Sequence, residues 1–319
     1  MAVIGLDLGG TKLAGGLFDD HGTLLGRRLT PLARKKGSEV GALVVGMVRE
    51  LQTEADRRKA AVTGVGVSVP GIAYAATGKV WAPNIPGWEE YPLRDELETV
   101  VVPGRTTVIV DSDRACSILG ERWKGAAKGC RHAIFLAVGT GIGAGILIDG
   151  RVLRGAQDIA GATGWMALDW PFREEYRPCG CFEYHASGDG IANVARALLA
   201  QTTNYRGILA SMASEVLTAK DVFTALDRGD PIAQKAVAGA IQAWGSATAN
   251  FVSLFNPERI IFGGGVFGPA ARFLNDIRRE AAKWAQPISM QSVHLVVSEL
   301  GSDAALYGAG SLTLPEHES

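Results

Sequence analysis

One local pattern occurs twice in this chain and leaves few folds open to it. Residues 3–8 (VIGLDL) and 13–19 (LAGGLFD) read as strands joined by the turn Gly9-Gly10-Thr11-Lys12. Residues 132–138 and 145–148 read the same way around Gly139-Thr140-Gly141-Ile142-Gly143. Asp20-His21-Gly22 turns the first pair into a third strand at about 23–30, and Asp149-Gly150 turns the second into 151–153. A repeated strand, glycine turn, strand and hairpin implies a duplication: two similar α/β domains facing each other.

The rest of the chain fits that frame. Val40, Leu43, Val44, Met47, Val48 and Leu51 are spaced for an amphipathic helix over 39–58. A β-branched run at 62–69 stops at Pro70-Gly71, and Pro83, Pro86, Pro92 and Pro103 predict irregular chain over 72–104. Residues 108–110 predict a short buried strand that delivers Asp111-Ser112-Asp113, with a helix over about 114–125 behind it. Helices are expected at 187–199, 219–225, 231–254, 270–284 and 303–312, and strands at 259–262 and 294–297. The boundary is expected within 113–121. That makes 1–115, with the C-terminal segment 300–319, the N-terminal α/β domain and 116–299 the C-terminal one.

Composition narrows the function classes. A chain of 319 residues can bury two cores, and 47% hydrophobic with 20% charged residues is the profile of a soluble globular protein. A formal net charge of -1 gives no field for nucleic acid or an anionic membrane. Cys116, Cys130, Cys179 and Cys181 are too few and too scattered for a disulfide framework and suit a reducing cytosol. No apolar run has the length of a membrane span, and residues 1–10 lack the features of a signal peptide, so a cytoplasmic protein is expected.

Three glycine turns follow strands: Gly9-Gly10-Thr11, Gly139-Thr140-Gly141 and Gly263-Gly264-Gly265. Glycine lets backbone N–H groups close on phosphate oxygens, and a threonine hydroxyl adds a donor. One such turn is ordinary; three, two of them with threonine, point to a phosphate cradle. There is no GxxxxGK[ST] loop and no GxGxxG opening a helix. Asp7 ends a strand beside the first turn, where it either holds Mg²⁺ through water or accepts turn N–H bonds. Lys12 faces either phosphate or solvent. Asp113 stands at the mouth of a buried strand, where sheet ligands bind. It is either the carboxylate that takes the proton from an attacking alcohol or the N-cap of the next helix. Asp111 is a weaker candidate for the same base.

The segments DLGGTK (7–12), SVPG (68–71), SDRACSILGE (112–121), GTGIGAGILIDG (139–150), GCFEYHASG (180–188), FNPERIIFGGGV (255–266) and DAALYGAG (303–310) together resemble the ROK family of sugar kinases and sugar-responsive repressors. The resemblance runs in order over nearly the whole chain. It implies a two-domain actin-like ATPase fold (ribonuclease H-like), an interdomain cleft for ATP and substrate, and a homodimer. It implies ATP and Mg²⁺ as cofactors, with Asp7, Gly9, Gly10, Thr11 and Lys12 facing phosphate and metal. Thr140 and Gly141 would form the second phosphate loop, and Gly264, Gly265 and Val266 would lie beside the adenosine. Asp113 would be the base, and Pro70, Gly71, Asn84, Ser112, Ala162, Trp165 and Glu183 would border the substrate. The repressor branch is disfavoured, because no helix-turn-helix precedes DLGGTK.

Departures from the family pattern bear on the substrate. Ser112 stands where the kinases usually have Asn, and the sugar-binding Glu-x-Gly-His segment is here Ala162-Thr163-Gly164-Trp165. The four positions that ligate zinc in relatives hold Trp165, Glu174, Tyr176 and Cys181, so no zinc site is expected; Cys179, Cys181 and nearby His185 make a poor substitute. A buried sugar hydroxyl left unpaired costs roughly 1–3 kcal/mol. The expected substrate therefore differs from plain glucose: a hexose-like sugar that is amino, deoxy, anomerically substituted or cyclitol in type. Asp158 and Asp169 are candidates to compensate, and Trp165 either stacks on a sugar face or fills core. Two rivals share the fold: a non-catalytic sugar sensor, and an ATPase that couples hydrolysis to conformational change. Asp113 with its phosphate turns argues against the sensor. By resemblance, ATPases of the second kind lack the Glu183 segment and the SVPG loop.

Overall fold

A computed structural model of the chain describes residues 1–211 and 217–315. The expected C-terminal segment 300–319 thus lies partly outside the described residues, at 316–319. By their contacts the residues form two compact units, 1–130 with 145–160 and 298–319, and 131–144 with 161–297. No helix among the described residues is long and apolar enough to cross a membrane.

The first unit is built on a five-stranded sheet in the order β3-β2-β1-β4-β7. Its strands are β1 (Ala2–Leu8), β2 (Lys12–Asp19), β3 (Leu24–Pro31), β4 (Val62–Val69) and β7 (Thr107–Ser112). The β1–β2–β3 meander is antiparallel, and β1, β4 and β7 run parallel. The two-residue alternation of β1 sorts its faces. Ile4, Leu6 and Leu8 pack into the larger core with α1 (Ser38–Arg57), while Val3 joins Phe18 and Leu306 on the opposite side. Asp7 shares its parity with Val3, so it belongs to the side where α10 (Ala304–Ser311) lies on β1.

Helix α3 (Asp113–Lys124) follows β7 without a gap and packs along α10. The two helices meet backbone to backbone. A Cβ at Gly308 would lie 1.7 Å from the Cys116 carbonyl oxygen, and one at Gly120 would lie 2.0 Å from that of Ala304. No side chain fits there, so glycine is required and the start of α3 is rigidly seated. Buried Glu121 ties the lead-in to α10 by accepting from Ser298 Oγ and the Leu300 N–H.

This seating moves the unit boundary away from the expected one. Residues 116–130 and 145–160, assigned from sequence to the second domain, group with the first. Local pattern shows where α3 is, but its partner α10 is some 180 residues away. Residues 72–104 also hold more order than expected: a two-stranded pair, β5 (Ile72–Ala73) and β6 (Val80–Trp81), and α2 (Leu93–Glu98). Pro92 directly precedes α2, where a missing N–H costs no helical bond.

The second sheet has the order β10-β9-β8-β11-β12. It comprises β8 (Ala133–Val138), β9 (Ile142–Ile148), β10 (Arg151–Val152), β11 (Arg259–Gly263) and β12 (His294–Val297), with β11 parallel to β8 and β12. The second unit's helices are α4 (Cys181–Ala186), α5 (Gly188–Gln201), α6 (Ala219–Asp227), α7 (Pro231–Phe255), α8 (Leu274–Ala281) and α9 (Pro287–Ser292). The single helix expected at 270–284 is instead a 3₁₀ segment, Pro269–Phe273, followed by the shorter α8. A tight 3₁₀ turn often opens a helix, and Pro287 starts a new one.

Candidate active site

In the first unit, Asp7 is the penultimate residue of β1, opposite Ser68 in the β4 register. Asp7 Oδ1 accepts the Ser68 hydroxyl at 3.0 Å. Burial pushes the Asp7 carboxyl up to about 6 against the Ser68 bond; the Asp113 charge raises it further and Lys12 lowers it. A carboxylate so placed lacks full compensation and is suited to a cation. An ionisable oxygen donor here suits a hydrated Mg²⁺, and the neighbouring N–H groups suit phosphate oxygens. The turn is closed by Gly9 N–H donating to the Lys12 carbonyl at 2.9 Å, and Leu32 N–H holds the Thr11 carbonyl at 2.9 Å. Gly10, Thr11 and Lys12 are exposed, and the Asn84 amide nitrogen lies 3.2 Å from where a Gly10 Cβ would be. Asn84 thus stands beside the first turn.

At the end of β7 three neighbours divide their duties. Ser112 is the N-cap of α3, its hydroxyl accepting the Ala115 N–H at 3.3 Å. Asp113, the first residue inside the helix, is therefore released from capping. Burial raises its pKa, opposed by the Arg114 charge and by backbone N–H groups at 113 and 114. Asp111 is committed elsewhere. Its Oδ1 accepts the Ser112 N–H at 2.8 Å, and Arg154 Nη1 approaches Oδ2 to 2.6 Å, off the line of a hydrogen bond. Arg114 donates to the Gly71 carbonyl at 3.2 Å, which fixes the Pro70-Gly71 turn against the helix that carries Asp113. Gly71 has φ +108 and its Cβ would strike the Trp81 carbonyl at 2.2 Å, so only glycine passes here.

In the second unit, Gly139 N–H donates to the Gly141 carbonyl at 2.9 Å, and Gly188 N–H to the Gly139 carbonyl at 2.7 Å. This places Thr140 beside the start of α5, which Ser187 caps through the Gly190 N–H at 2.9 Å. Gly264 has φ +84, and its Cβ would sit 2.3 Å from the Val138 carbonyl. Gly265 and Val266 follow in a short 3₁₀ turn. Gly139, Thr140, Gly265 and Val266 line a pocket of about 660 Å³ with Asp189, Lys220, Phe223 and Thr224. Its size suits a nucleotide base and sugar. Asp189 and the α6 residues were not anticipated; an amphipathic helix at 219–225 was legible, but not that its Lys220, Phe223 and Thr224 line this pocket.

Glu183, expected beside the substrate, is bound to the phosphate turn. Its Oε2 accepts the Ile142 N–H at 2.6 Å, burial raises its pKa, that bond lowers it and Asp189 raises it. Glu183→Ala leaves that N–H unpaired at a cost of roughly 1–3 kcal/mol. The variant is expected to unfold at lower denaturant and to bind nucleotide more weakly, and Glu183→Gln, which keeps an acceptor, to recover both. If the Gln variant instead raised the sugar KM alone, the carboxylate would be a sugar ligand first.

Ala162 precedes the 3₁₀ turn Thr163–Trp165, and Trp165 is 58% exposed, so it fills no core. Of the four positions where the resemblance implies zinc ligands in relatives, Glu174 and Tyr176 have other partners here. Glu174 pairs with Arg177, and the Tyr176 hydroxyl donates to Asp169 Oδ2 at 3.0 Å and lies 2.8 Å from His185 Nε2. Among the described residues no three His, Cys, Asp or Glu side chains gather as a metal site. Asp169 is thus engaged in this network with Arg173, while Asp158 accepts the Ala75 N–H at 3.1 Å.

Comparison with known proteins bears on this arrangement. The family model of the ROK family matches residues 3–316. A glucokinase from Halalkalibacterium halodurans is 32% identical over 99% of this chain and 96% of its own length. A xylose repressor from Caldicellulosiruptor bescii is 27% identical over 86% of this chain and 68% of the repressor. Among solved structures, a ROK hexokinase from Thermus thermophilus superposes with a TM-score of 0.79 at 30% identity, covering 98% of each chain. A ROK family glucokinase from Streptomyces griseus, in complex with glucose and AMPPNP, gives 0.75 at 27% identity over 98% of this chain and 99% of that one.

Proposed function

The chain belongs to the ROK family and has its actin-like ATPase fold, and from that premise we propose that it is an ATP-dependent kinase of a hexose or hexose-like hydroxyl, with Asp113 as general base. The observation that carries this is the division of labour at β7. Ser112 does the capping and Asp111 faces Arg154, which leaves a half-buried carboxyl with a raised pKa at the strand mouth. A sensor needs no such group.

The residues have distinct tasks in the reaction. The alcohol proton passes to an Asp113 oxygen as the hydroxyl attacks; a raised pKa makes that carboxylate a better acceptor. The turns 9–12 and 139–141 offer N–H groups and the Thr11 and Thr140 hydroxyls to phosphate oxygens, with charge from Lys12. Mg²⁺ would be held from Asp7 and would neutralise phosphate charge. The pocket at Phe223 and Val266 takes the adenosine. Pro70, Gly71, Asn84, Ala162, Trp165 and Glu183 border the sugar, whose ring differs from glucose where relatives carry Glu and His. The protein acts as a cytoplasmic homodimer.

The test is ADP release with Mg·ATP across hexoses, N-acylated and amino sugars, ketoses and cyclitols. One or a few sugars are expected to raise turnover at least a hundredfold above the sugar-free rate, with an amino, substituted or cyclitol relative preferred over glucose. A sugar that binds tightly and yields no acceptor-dependent ADP would replace this reading with the sensor, the other role found among ROK relatives. Strong preference for plain glucose would retain the kinase and overturn the substrate assignment.

A further inference from the structure

The first unit has a second concavity that the proposed reaction does not use. It has a volume of about 550 Å³, within the usual range for small-molecule sites. Four cationic residues line it, Arg122, Lys128, Arg151 and Arg154, and Trp123 and Leu312 give it an apolar wall. Among the described residues, no acidic side chain lines it. In a chain with a formal net charge of -1, four cations around one hollow are a local arrangement and no reflection of a basic protein. Like charges held together repel, and a bound anion relieves that repulsion.

Two of the four are fixed. Arg122 donates to the Gly150 carbonyl, which orients its guanidinium in the hairpin turn between β9 and β10. Arg154 faces Asp111 Oδ2 at 2.6 Å. The other two, Lys128 and Arg151, are exposed and have no ion-pair partner among the described residues. Preoriented guanidinium and mobile ammonium groups around one hollow are the means by which proteins hold phosphate monoesters. The aromatic and aliphatic wall suits a ring or chain attached to that phosphate.

We propose that this hollow is a second, regulatory site for a phosphorylated small molecule, read out through Arg154. Asp111 is 4% exposed, and its other oxygen accepts the N–H of Ser112, which caps the helix that begins with Asp113. An anion that draws Arg154 toward the hollow takes away the partner of a buried carboxylate on the residue directly before that cap. The two states of Arg154 thus couple the hollow to the seat of Asp113, and the coupling works in both directions. The site and its binding stand apart from the kinase reading; only the effect on turnover rests on it.

The experiment holds the nucleotide site saturated with Mg·AMPPNP and titrates the protein calorimetrically with glucose 6-phosphate and, separately, AMP. These probes distinguish a sugar phosphate from a nucleotide as the source of the phosphate. At least one is expected to bind at one further site, with affinity falling as salt rises, and at least tenfold more weakly to the Lys128→Glu/Arg151→Glu variant. With saturating ATP and the accepted sugar, that probe is expected to change wild-type turnover at least threefold and to leave the variant's turnover unchanged. Absence of a further site for either probe, or equal affinity in the variant, overturns the site. Binding that leaves wild-type turnover unchanged overturns the regulatory role, and a kinase inactive on every sugar tested leaves the binding arm to decide the site alone.

Discussion

Asp113→Asn is expected to lower kcat by about 10²–10⁴-fold, the usual worth of a positioned general base, with nucleotide affinity within a few-fold of wild type. Asn conserves volume and polarity, and the cap of α3 is Ser112, so the helix should start where it does now. Thermal unfolding of the variant should match wild type or exceed it slightly, because a carboxyl whose charge burial disfavours has been removed. The comparison with Ser112→Ala sharpens the result. That substitution should cost about 1 kcal/mol of stability through the lost cap and far less activity. Folded Asp113→Asn enzyme with a tenth or more of wild-type turnover would falsify the base assignment.

The second large effect is a trade between stability and activity at Asp7. Its carboxyl sits at about 6 in the fold against an ordinary 3.8, so the fold favours the neutral form. Stability contributed by this group is therefore present at low pH and is lost as pH rises from about 4 through 6. At pH 7.5 the ionised group costs the fold on the order of 1–2 kcal/mol once its partial exposure is allowed for. Asp7→Asn is expected to raise the thermal midpoint at pH 7.5 by a few degrees and to flatten the pH dependence between 4 and 6. The same substitution should reduce Mg·ATP turnover more than a hundredfold, because the site loses its anionic donor. In wild type, the apparent Mg²⁺ affinity should fall about tenfold per pH unit below 6, since cation binding needs the ionised carboxyl. A variant that is both less stable at pH 7.5 and fully active would remove the metal role and the pKa argument together.

Much of this site was legible from local pattern. Strands that alternate and stop at glycine placed Asp7 and the turn 9–12, and the second copy placed Thr140 and Gly141. A run of three β-branched residues before Asp111-Ser112-Asp113 put the carboxyls at a strand mouth. Three features were not legible. The sequence left Asp113 as either a base or the N-cap of α3; the backbone path into the helix gave the cap to Ser112. That Glu183 also accepts the Ile142 N–H, 41 residues earlier, leaves no trace in local pattern. Arg154 gives no hint of its partner 43 positions earlier.

The sequence by itself determined what short-range sterics and alternation can encode: two α/β repeats, three glycine turns and the strand-end acids. Those properties depend on a residue and its near neighbours, so they are written in order along the chain. Only the tertiary structure decided the partition of Asp111, Ser112 and Asp113 into ion pair, cap and non-capping carboxyl. It also decided the joining of α6 to the Gly265-Val266 turn as one pocket, and the gathering of four cations around one hollow. These depend on groups tens to hundreds of residues apart, and on burial, which raises or lowers a charge's cost only after the chain has closed around it.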